Sequence, residues 1–106
     1  MDTNKHHILY QHRHYKTGYG RRLRDALVFD LDTEIHKDLH NYLVDIPEPS
    51  DNELKEVWEV YQKHKKLVRS CDILTVCEWL ATMTHDTAFR GCMYRQYMFL
   101  KTRMGG

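Results

Sequence analysis

Two prolines and a serine divide this chain before any other feature is considered. In "DIPEPSDNE", Pro47 and Pro49 fix φ and bias the residues ahead of them away from helix. Ser50 and Glu53 follow at capping-box spacing: the hydroxyl accepts an amide proton and the carboxylate reaches back to the Ser50 amide. A helix is expected to begin there. The break separates residues 1–46 from residues 47–106. With 106 residues in all, there is material for one modest core, so the two parts are expected to pack as one compact domain.

The downstream part reads as helix throughout. Leu54, Val57, Trp58, Tyr61, Lys65 and Val68 follow an i, i+3, i+4, i+7 stripe with charged residues between them. Asp72 to Met83 is apolar on nearly every side, the pattern of a central buried helix. Phe89, Cys92, Met93, Tyr97 and Leu100 form a third stripe. Trp58, Trp79, Tyr61, Tyr94, Tyr97, Met83, Met93 and Met98 are read as core. Surplus aromatic and methionine side chains would form a protein-partner face or a homodimer seam.

Upstream, "HHILY" and "ALVFDL" are short, branched or aromatic runs of strand type. "QHRHYKTGYGRRLRD" lies between them and reads as a turn-rich connection because of Gly18 and Gly20. Asp32 or Thr33 then caps a helix through about Leu43, in which Ile35, Leu39 and Leu43 recur every fourth residue. The class is α+β, an N-terminal ββα unit packed on a C-terminal three-helix segment.

Net charge is +1, so no overall field draws the chain to nucleic acid or to a membrane, and any such attraction must be local. No run approaches the length of a membrane span, and none near the N-terminus has the form of a signal peptide. Cys71, Cys77 and Cys92 are odd in number and lack CxxC spacing, which suits reduced thiols. The expectation is a cytoplasmic protein with no membrane partner.

Eight histidines are unusual at this length, and four fall between Asn4 and Tyr15. His6 and His7 are adjacent on the first strand. His36 and His40, in "IHKDLH", are one helical turn apart on one face, a spacing that lets two imidazoles share a divalent ion. Successive strand residues face opposite ways, so His6 and His7 reach one site only where the strand ends, twists or bulges. His12 and His14 read as loop residues, with His12 a reserve ligand. His64 and His85 stand at no ligand spacing.

A His-His pair on a strand, a second strand, and a helix bearing HxxxH together resemble the ββα-metal fold of HNH nucleases, in the histidine-rich form of the colicin DNase domains. The resemblance spans residues 4 to 43. It implies His6, His36 and His40 as metal ligands and His7 as the general base. It also implies one divalent ion (Zn, Mg, Mn or Ni) and DNA as substrate, cut or nicked by metal-dependent hydrolysis. Two positions depart from that family. Asn4 stands where an acidic residue usually does, and "RDALVFDLD" has no asparagine in the second-strand region. The alternative they suggest is a non-catalytic HNH-like inhibitor or adaptor, with or without a structural metal.

Between Gln11 and Arg24 are Arg13, Lys16, Arg21, Arg22 and Arg24 and no acid, interleaved with Tyr15 and Tyr19. Arginines of this kind pair with backbone phosphates and tyrosines stack on exposed bases. Arg13, Arg21, Arg22 and Arg24 are the expected phosphate contacts.

Overall fold

The computed structural model describes residues 2–9, 18–43, 49–85 and 87–104. His12, His14, Arg13 and the 46/47 boundary with Pro47 lie outside the described residues. The class is α+β: one two-stranded antiparallel sheet followed mainly by helices.

Strand β1 is Thr3–His7 and strand β2 is Val28–Asp32; His6 stands opposite Phe29 and His7 opposite Val28. Between them runs helix α1, Gly18–Ala26, where a turn-rich connection was expected. The helix forms because Tyr19 and Leu23, with Leu27 just past its end, recur every four residues and bury one face against the helix Asp51–Lys63. Gly18 is its first residue, where a glycine costs little of the helix interior's penalty.

Helix α2, Thr33–Tyr42, leaves β2 with no intervening loop. The Asp32 carboxylate accepts from the amides of Glu34 (3.1 Å) and Ile35 (3.3 Å) and so fixes where the strand ends. Helix α3, Asp51–Lys63, opens on the expected capping box. The Glu53 amide donates to Ser50 Oγ at 3.3 Å and the Ser50 amide to Glu53 Oε2 at 2.9 Å. The stripe anticipated from Leu54 to Val68 is divided at His64, and Lys65–Arg69 forms the short helix α4.

Helix α5, Ile73–Met83, is capped by Asp72, which accepts from the Thr75 amide at 2.8 Å. It buries Ile73, Val76, Cys77, Leu80 and Ala81, but Thr75, Glu78, Thr82 and Met83 are exposed, so it is not covered on every side. Helix α6, Thr87–Arg103, packs along α5 and across α2. Its buried face is Phe89, Cys92, Met93, Gln96 and Leu100. Tyr94, Met98 and Met83, expected in the core, are exposed; the two α6 residues lie on the face turned away from α5 and α2.

Candidate metal centre

Two elements bring the histidines together. β1 carries His6 inward, fully buried, while α2 crosses the sheet and presents His36 and His40 one turn apart. One ring nitrogen from each of His6, His36 and His40 lies within 4.8 Å of the other two. The ring centroids are 5.3 Å (His6–His36), 5.8 Å (His6–His40) and 4.4 Å (His36–His40) apart, all in edge-on arrangements.

His36 and His40 point Nε2 at Nε2, 2.8 Å apart, sharing a hydrogen. Two nitrogens on a tetrahedral zinc at ~2.05 Å stand about 3.3 Å apart. Replacing the shared hydrogen by an ion therefore asks the rings to open by only about half an ångström. His6 uses Nε2 to bond Gln96 Oε1 at 2.8 Å, and its Nδ1 is buried with no hydrogen-bond partner among the described residues. A bare buried ring nitrogen beside two converging imidazoles is a donor set that suits zinc, nickel and similar borderline ions.

Electrostatics keep the set neutral. Burial drives the His6 pKa down to about 4, partly opposed by the Gln96 bond, and the neighbouring His36, His40 and His7 lower it further. His36 is lowered by burial and then by His40 and His7; His40 is lowered by burial and then by His7. Neutral imidazole is the ligating form.

His7 is half-buried at the last residue of β1, where the chain turns into the buried Ile8–Leu9 bend. There it lines a pocket of about 140 Å³ together with Lys5, His36 and His40. The strand's end thus places both neighbours beside His36 and His40, His6 on the buried side and His7 on the pocket. Lys5, two residues earlier on the same strand face, adds a cation to the pocket; in the sequence only its i, i+2 relation to His7 marks it.

Of the four arginines expected to contact phosphate, Arg21, Arg22 and Arg24 are among the described residues. Arg22 lies 5.8 Å from the ring centroids of both Tyr19 and Trp58, on the α1–α3 side. It shares a groove there with Lys65 and Arg69. Arg24 Nε donates to Asp25 at 3.3 Å. Arg21 is exposed, with no ion pair among the described residues. None of the three lines the histidine pocket.

Helix α6 braces the centre from behind. Arg103 pairs with Asp38 of α2, and Phe99 stacks on Tyr42 at 5.0 Å. Gln96 comes from the same helix. Nothing in the sequence singled it out, because it sits as one polar residue within an apolar stripe. Compared with protein-family models, with curated proteins and with solved structures, the chain matches none.

Proposed function

We propose that this chain is a divalent-metal-dependent endonuclease or nickase acting on DNA, with His6, His36 and His40 as ligands and His7 as general base. The observation that carries the reading is that His6, His36 and His40 converge, while His7, outside that triad, lines a pocket with His36 and His40. His6, His36 and His40 would hold a divalent ion without neutralising it, and the ion would supply Lewis-acid stabilisation to a phosphate oxygen.

His7 accepts the proton of an attacking water at its free ring nitrogen. Lys5, which lines the pocket, offsets phosphate charge there. Among the described residues no carboxylate lines the pocket, so an ion's charge would be left for the substrate.

The test is cleavage of supercoiled plasmid with Zn²⁺, Mg²⁺, Mn²⁺ or Ni²⁺ added in turn. Wild type is expected to nick DNA. His7→Ala is expected to lose about 10²–10⁴-fold in rate, the usual worth of a general base, while binding metal as before. Cleavage undiminished in His7→Ala would refute the assignment.

A second reading has its own support. Tyr94 and Met98, one turn apart on α6, are 58% and 47% exposed. They offer an apolar strip to a protein partner or a second copy. On that reading metal binds, plasmid stays intact, and Tyr94→Glu abolishes complex formation.

A further inference from the structure

Gln96 lies 90 residues from His6 in sequence, yet its bonds dictate which nitrogen of that ring is free. The side chain is fully buried. Its Nε2 donates to the Ile8 carbonyl at 2.7 Å and to Cys92 Sγ at 3.3 Å. A carbonyl oxygen only accepts, so the amide cannot be turned end for end. Oε1 therefore faces His6 Nε2, and because Oε1 also only accepts, the hydrogen must reside on Nε2. Neutral imidazole carries one hydrogen. His6 Nδ1 is then a bare lone pair, buried and unpartnered among the described residues. Left so, a buried acceptor is destabilising, and an ion able to accept that lone pair would relieve it.

We propose that Gln96 is the positioning residue of the metal centre. It selects the Nε2–H form of His6, so that His6 ligates through Nδ1 while His36 and His40 ligate through Nε2. The proposal rests on the metal reading above. It adds that the set is mixed and that the C-terminal helix, not the ββα unit alone, decides it. The same amide bonds the Ile8 carbonyl, immediately beyond β1. The orientation of the ring and the course of the strand end are thus held by one side chain.

The experiment measures Zn²⁺ affinity by competition titration, alongside ¹⁵N NMR of the histidine rings, in wild type, Gln96→Met and Gln96→Glu. Methionine keeps the volume and removes the acceptor. A protonated glutamic acid restores a carbonyl towards His6 and a hydroxyl towards the Ile8 oxygen. Expected are a 10–100-fold loss of affinity in Gln96→Met, recovery to within about threefold of wild type in Gln96→Glu, and an Nε2–H His6 in metal-free wild type. Zinc should then perturb Nδ1.

Unchanged affinity in Gln96→Met, or zinc bound through Nε2 of His6, overturns the proposal and leaves the metal reading standing. Zinc refused by wild type overturns both. Should Gln96→Met fail to fold, the wild-type ring spectra decide alone, by which nitrogen responds to zinc.

Discussion

Burial sets the charge state of His6, and through it a pH limit on the fold. The ring is neutral when folded because its pKa falls from 6.5 to about 4. The unfolded chain therefore binds a proton that the folded chain refuses, in the interval between those values. Stability is complete above pH 6.5 and drains away as the pH falls towards 4, by about 3 kcal/mol from this residue alone. Below pH 4 both states carry the proton and the loss levels off. Urea unfolding of the metal-free protein in EDTA, stepped from pH 7.5 to 4, should show that decline. His6→Asn should flatten most of it, and an equal decline in that variant would show that other groups cause it. The pair His36–His40 was readable from sequence because helical spacing alone makes it. Gln96 was not, since a hydrogen bond across 90 residues leaves no local pattern.

At the scale of elements, the centre depends on where α2 starts. Asp32 ends β2 and caps α2 with two accepted bonds, so the rings of His36 and His40 are positioned by the first turn of their helix. Asp32→Ala should cost about 1 kcal/mol and weaken Zn²⁺ binding, while Asp32→Asn, which keeps an acceptor, should stay close to wild type in both. Thermal unfolding with and without zinc checks this. His36→Ala with His40→Ala should abolish zinc binding altogether, leaving His6 as a single donor. Starts such as Asp32 and Ser50 were legible because a side-chain cap is a local device. Helix α1 was missed because Gly18 and Gly20 outweighed a stripe only three apolar residues long. The break at His64 was hidden because the stripe continues in sequence on both sides of it.

The molecule as a whole joins a ββα unit too small to stand alone to helices that supply its back wall. Three ties from α6 cross between the halves: Gln96 to His6, Phe99 to Tyr42 and Arg103 to Asp38. Such pairings depend on how helices face one another, which periodicity leaves open. It leaves open equally the side of α6 that exposes Tyr94 and Met98. If these ties make one cooperative unit, an ion on the histidines stabilises α6 as well as β1 and α2. At a free zinc concentration 100 times the dissociation constant, global stability should rise by about 2.7 kcal/mol, and EDTA should reverse it. Hydrogen exchange locates that gain. Amides of α6 around Cys92–Leu100 should slow together with those of Thr3–His7 and Thr33–Tyr42 when zinc is added. Slowing confined to the strand and α2 would mean that α6 only leans on the centre. Gln96→Met should produce that confined pattern in a protein whose wild type shows the joint one, because it cuts the α6 tie that ends on a ligand.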